Sequence, residues 1–256
     1  MAETIYMIHG MWGGAYQWEN YRSVFEARGY RCVATTLRHH GADPSAPPPP
    51  ELGTTSLLDY AEDLEREVRA LGEPPVLMGH SMGGLLAQML AARGLGRRLV
   101  CLTPASPYGI IALRLSVIRS FWSGMTRLGF WRKPFRQTYG EAVYSMMHLL
   151  PEEERRRAYE RFVYESGRAT FEIGFWPLDL RRASRVRAGE VSVPVLVVAG
   201  GQDRITPAPV VRRVARRYGA RAAFKLFPGH AHWVLAEPGW EEVAGFVADW
   251  LQEKAP

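Results

Sequence analysis

Short apolar or β-branched runs recur along this chain at residues 4–8, 30–35, 75–78, 99–102, 194–199 and 222–226, each bounded by Gly, Pro or polar positions. Runs that are apolar without alternation read as strands of a sheet buried on both faces. Between them the period changes. Leu57, Tyr60, Ala61, Leu64, Val68 and Leu71 fall on one face of a helix over residues 57–71, while Glu62, Glu65, Arg66 and Arg69 fall on the other. Ser56 with Asp59 supplies a capping-box-like start to that helix. Strands that alternate with helices need crossover connections, which predicts the α/β class: a mostly parallel sheet flanked by helices.

Two stretches break this rhythm. Residues 39–55, with four consecutive prolines from Pro47 to Pro50, read as a stiff, extended surface loop. Residues 106–191 separate two strands by far more than a crossover needs and carry helical patterns rich in aromatic and methionine side chains, among them Phe121, Trp122, Phe130, Trp131, Phe175 and Trp176. The expected organisation is a core made of residues 1–105 and 192–256, with residues 106–191 inserted as a helical subdomain. No internal repeat is evident, which sets solenoids and propellers aside.

Composition narrows the partners. With 256 residues, of which 47% are hydrophobic and 11% aromatic, the chain can bury a core without metal or disulfide staples. Cys32 and Cys101 each sit inside an apolar run, so a disulfide framework and a Cys-rich zinc site are both excluded, and no metal is expected. No apolar stretch approaches the ~18 residues of a membrane span, and residues 1–4 lead directly into a strand without a signal-like segment, so the cytoplasm is the expected compartment. The net charge of +6 is spread out; only pairs such as Arg212–Arg213 and Arg216–Arg217 cluster. That pattern argues against nucleic acid and for a small-molecule partner.

The strand at 75–78 runs into Gly79-His80-Ser81-Met82-Gly83-Gly84, followed by the helix former Leu85-Leu86-Ala87-Gln88-Met89-Leu90. This is Gly-x-Ser-x-Gly between strand and helix. A serine on so sharp a turn sits in a strained backbone conformation, and glycines two positions to either side remove the collision. The turn lifts the Ser81 hydroxyl clear of the sheet at a helix N-terminus, where developing negative charge is favoured.

From Thr4 to Leu251 the chain resembles the α/β-hydrolase family, and residues 9–18, His-Gly-Met-Trp-Gly-Gly-Ala-Tyr-Gln-Trp, are more specifically similar to plant methylesterases and hydroxynitrile lyases. The resemblance implies the α/β-hydrolase fold with a helical cap inserted after the sixth strand, and a nucleophile, acid and base in the chain order Ser, Asp, His. Asp203, in the turn beyond the strand at 194–199, is the candidate acid; an Asp that merely caps the helix near Pro207 is the alternative. For the base, the family's landmark is a Glu-Pro five positions on, which His232 meets with Glu237-Pro238 and His230 does not. His230 is then expected to position the loop, as His9 and His80 organise the glycine turns.

An acyl-transfer intermediate needs two backbone donors. Met82, after the nucleophile, is one; by resemblance Met11 is the other, with Trp12 as the alternative. Trp12 and Trp233 are the expected substrate contacts. An aromatic cap implies an apolar pocket and a small to medium hydrophobic ester, processed without cofactor; a homodimer is compatible with the reading. Carbon–carbon bond hydrolysis, lyase chemistry and a ligand receptor on the same scaffold stay open. Hydroxynitrile lyases carry lysine directly after the histidine, where this chain has Trp233, and an epoxide hydrolase would want Asp at Ser81.

Overall fold

The structure is a computed structural model and describes residues 2–253. Its strands are β1 (Thr4–Ile8), β2 (Arg31–Ala34), β3 (Val76–His80), β4 (Arg98–Leu102), β5 (Val195–Gly200) and β6 (Ala222–Phe227), all parallel in the order β2-β1-β3-β4-β5-β6. Every expected run is a strand, with ends shifted by at most two residues.

Alternation of side chains across the pleat divides the interior. Tyr6, Ile8, Leu77, Leu99, Cys101 and Val197 enter one core; Ile5, Met7, Val76, Met78, Val100 and Val198 enter the other. Helix α1 (Glu19–Glu26) supplies Tyr21 and Phe25 to the second core. Helices α2 (Leu57–Ala70) and α3 (Met82–Ala91) cover the first with Tyr60, Leu64, Leu85 and Leu86. The capping box of α2 is formed: the Asp59 carboxylate accepts from the Ser56 N–H at 2.8 Å, and the Ser56 hydroxyl accepts at the helix N-terminus.

Between β4 and β5 lie α4 (Leu115–Ser120), α5 (Trp122–Met125), α6 (Tyr139–Ala142), a π-helical turn at Val143–Met147, α7 (Glu152–Glu160) and α8 (Gly167–Gly174). Counted along this chain the insertion follows the fourth strand rather than the sixth, because only β1 to β4 precede it among the described residues. Phe135, Met147, Phe162 and Ala169 from this stretch join the same core as Tyr6 and Leu64, so insertion and sheet share one apolar interior. Helix α9 (Ala208–Arg216) joins β5 to β6 on that face, and α10 (Trp240–Glu253) packs with α1 on the other. Among the described residues no helix is long and apolar enough to cross a membrane.

The proline-rich loop departs from expectation at its end. Pro49 is extended, but Pro50–Thr54 winds into a 3-10 turn that buries Leu52 and presses Gly53 against the Arg132 backbone of the insertion. Anchoring by the inserted segment, invisible to local composition, bends it inward.

The strand order positions the site. The chain passes from β1 out to the edge at β2 and returns across β1 to β3, so the loops leaving β1 and β3 part at the C-terminal edge and open a crevice there.

Candidate active site

β3 ends at His80 and α3 begins at Met82, which leaves Ser81 to turn the chain. Its backbone sits at φ 54° and ψ −120°, a conformation rarely taken by residues with a side chain. Hydrogen bonds over-determine the turn: the Ser81 N–H donates to the Leu102 carbonyl at 3.0 Å, and the Ser81 carbonyl accepts from Gly84 at 3.0 Å and Ala105 at 2.9 Å. The flanking glycines are required by close approach. A Cβ on Gly79 would lie 2.1 Å from the Gly83 carbonyl oxygen, and one on Gly83 would lie 2.1 Å from that of Ile8.

Three side chains from three loops meet above this turn. The Ser81 hydroxyl lies 3.0 Å from His232 Nε2, and His232 Nδ1 lies 2.8 Å from Asp203 Oδ2. Asp203 Oδ1 accepts from the N–H groups of Ile205 and Thr206, both at 2.8 Å, and Oδ2 from the Thr206 hydroxyl at 2.7 Å. Burial alone would raise the Asp203 carboxyl, but the His232 charge and hydrogen bond together with the Thr206 donors outweigh it and hold the group below its ordinary value. Asp203 Oδ2 accepts from His232 Nδ1–H, which orients the ring and leaves Nε2 facing the Ser81 hydroxyl. The two backbone bonds at Oδ1 make an Asx-type turn ahead of α9, whose own N-cap is Pro207, so Asp203 organises that turn without capping the helix.

The histidines flanking the turns are structural in the way their positions suggest. His9 Nε2 accepts from the Leu37 N–H at 3.0 Å, which puts the ring proton on Nδ1, 2.7 Å from the Gly10 carbonyl. Burial, then the neighbouring His40, push His9 down to about 3, so it stays neutral. His80 Nε2 donates to the His232 carbonyl at 2.8 Å, and burial pushes its pKa down to about 3 as well. His230 does hold the loop: Glu237 Oε1 accepts from His230 Nδ1 at 2.9 Å and from the Ala231 N–H at 2.8 Å. The Glu-Pro landmark is thus a physical brace for the segment carrying His232.

Gly10 sits directly against the serine; a Cβ there would be 3.0 Å from Ser81 Cβ. Met11 and Met82 follow these two contact points and line, with Ser81, a cavity of about 470 Å³. Met82 is the first residue of α3, whose leading N–H groups have no partner within the helix. The remaining walls are mostly apolar, with Ile118, Phe121, Ile173, Phe175 and Trp176 from the insertion and Val210 from α9, and Ser106, Thr170 and Thr206 add the few polar groups.

Trp12 and Trp233 do not line this cavity, contrary to expectation. Trp12 is 1% exposed and wedged between Phe121 and Phe135, with ring centroids 5.7 and 5.6 Å away, and its carbonyl accepts from the Val163 N–H at 3.0 Å. Trp233 stacks on Phe162 at 5.7 Å. Both rings are consumed in packing the insertion onto the loops that carry the site.

Thr206 escaped the sequence reading. Its hydroxyl reaches Asp203 Oδ2, the Thr103 carbonyl at 3.0 Å and His232 Nδ1 at 3.3 Å; the available signal was a threonine three positions after the acid. Two buried carboxylates of the insertion lie outside the cavity and fasten it to the core. Glu165 accepts from Tyr60 at 2.9 Å and faces His40 at 3.1 Å, and Glu172 accepts from the Ser56 hydroxyl and the Leu57 N–H. Among the described residues no group of three or more His, Cys, Asp or Glu could hold a metal ion.

Known proteins are similar to this chain over most of its length. The chain is 28% identical to a pimeloyl-[acyl-carrier protein] methyl ester esterase of Neisseria meningitidis, over 95% of this chain and 81% of that protein. It is 25% identical to epoxide hydrolase 3 of Xenopus tropicalis, over 96% of this chain and 71% of that protein. Among solved structures, the monoacylglycerol lipase of Paleococcus ferrophilus superposes with a TM-score of 0.73 at 21% identity, covering 98% of this chain and 95% of that one. A methylesterase from Arabidopsis gives 0.73 at 13% identity, covering 98% and 99%. The model of the alpha/beta hydrolase family matches residues 5–246, and with the parallel sheet and the strand–serine–helix turn this establishes that the chain belongs to that family.

Proposed function

We propose that this protein is a serine hydrolase of small to medium hydrophobic carboxylic esters. The observation that carries the reading is the hydrogen-bonded line Ser81–His232–Asp203 at the base of an almost wholly apolar cavity. In this reading the Ser81 oxygen attacks the ester carbonyl carbon while His232 Nε2 takes its proton, and Asp203 stabilises the imidazolium. The N–H groups of Met11 and Met82 receive the oxyanion; losing such a donor costs about 3 kcal/mol of transition-state stabilisation. Collapse of the intermediate expels the alcohol, which takes the proton from His232, and leaves an acyl-Ser81. Water deprotonated by His232 then releases the acid and restores the serine. Residues 106–191 act as the cap that walls the acyl chain from water.

The relatives are named for different chemistries, and Ser81 separates them: an aspartate-based epoxide opening has no aspartate nucleophile here. Lyase chemistry is disfavoured because the residue after His232 is Trp233, packed on Phe162. The test is hydrolysis of p-nitrophenyl esters of increasing acyl length by the wild type and Ser81→Ala. Steady turnover that falls by at least about 10⁴-fold in the variant supports the reading. A single burst without turnover, or turnover that the variant keeps, overturns it.

A further inference from the structure

The mouth of the cavity is unusual for a water-facing surface. Leu113 and Leu178 line the cavity and are 75% and 68% exposed, and beside them Leu115 and Leu180 project at 86% and 97% without contributing to its walls. Large aliphatic side chains left to water at the mouth of a cavity mark a surface that is covered in use. Its surroundings are cationic. Arg114, Arg181 and Arg182 interrupt the leucines, and two arginines in and just past α9 border the same rim: Arg213 donates to the Ile111 carbonyl, and the Arg217 guanidinium lies against Gly109.

The segments that carry these leucines and arginines are poor in acidic side chains. The sequence contains no Asp or Glu at positions 74–140 or 204–236, and from 173 to 187 only Asp179, which is buried and accepts from the N–H groups of Arg181 and Ala183. Exposed aliphatic tips ringed by arginines match the layered chemistry of an anionic lipid surface, with phosphates outside and hydrocarbon beneath. We infer that the cavity mouth docks on anionic lipid, so that an acyl chain passes from the aggregate into the cavity without crossing water.

This extends the ester-hydrolase reading, but its readout does not depend on turnover. The full chain is sedimented with vesicles of phosphatidylcholine alone and of phosphatidylcholine mixed with phosphatidylglycerol, at low and high salt. The wild type is expected on the mixed vesicles only, with release at high salt. Two paired variants, Arg114→Glu/Arg181→Glu and Leu115→Ser/Leu180→Ser, keep the cavity walls. The first should weaken binding by at least about 30-fold and the second by at least about tenfold. Both should hydrolyse a short soluble ester as the wild type does, and a melting curve confirms their fold should no ester be turned over. Failure to sediment with the mixed vesicles, or undiminished binding by both variants, overturns the inference. So does retention by a small acidic carrier protein in place of vesicles, which would make the partner a protein.

Discussion

Replacing Glu237 by Gln isolates one buried carboxyl and its proton. Burial pushes Glu237 up from its ordinary 4.5 to about 7, although the Ala231 and Trp233 N–H groups act to lower it, and its second oxygen is buried without a partner. His230 is pushed below its ordinary value by burial, which leaves a neutral ring rather than a counter-charge beside the carboxylate at neutral pH. A raised acid means that the folded state binds more protons than the unfolded one between the two values. Its contribution is therefore favourable below about pH 4.5 and is lost as pH rises through about 7. The full span amounts to about 3 kcal/mol, at about 1.4 kcal/mol per pH unit. Gln keeps an oxygen for His230 and Ala231, and its amide occupies the place of the unpartnered oxygen without a charge. Urea unfolding of both proteins at pH 5 and pH 8 reads the difference, because titrating groups remote from Glu237 cancel. The wild type should lose about 2–3 kcal/mol more than the variant over this interval. Parallel pH dependence in the two proteins would show that Glu237 is already ionised at pH 5 and that the argument from burial is wrong.

Two further substitutions probe the turn and the cavity. Gly83→Ala places a Cβ 2.1 Å from the Ile8 carbonyl oxygen, where only backbone could yield, so it should cost at least about 3 kcal/mol, read as a fall in Tm or in soluble yield; a wild-type melt would contradict the close approach. Ile173→Trp should shift the preferred p-nitrophenyl ester toward shorter acyl chains through a rise in KM for the longer ones, and an unchanged chain-length profile would place the acyl group elsewhere.

The parts of this site readable from sequence are those whose cause is local. Ser81 could be identified because the glycines that permit its conformation lie within two residues of it, and the strands because both faces of the sheet are apolar. Asp203 and His232 needed the chain order and the Glu-Pro spacing, whose reason, the brace from Glu237 to His230 and Ala231, is visible only in three dimensions. The cavity walls were out of reach. Trp12 and Trp233 are adjacent in sequence to Met11 and His232, yet each ring turns away to pack against residues 106–191. Ile118 and Ile173 line the cavity from helices whose placement depends on long-range packing. Glu165 and Glu172 are buried because His40, Tyr60 and Ser56 meet them from distant segments, which no local pattern announces.

The short stretch Phe162–Glu165 touches the region around the serine from three directions: Phe162 on Trp233, the Val163 N–H on the Trp12 carbonyl, and Glu165 on His40 and Tyr60. Family members of this kind invite domain shuffling, in which one protein's specificity region is grafted onto another's sheet. Here that graft would strip the loops after β1 and β6 of the side chains that hold them, so a chimera must carry residues 162–165 with its recipient scaffold, or bring Trp12, His40, Tyr60 and Trp233 along with the donor.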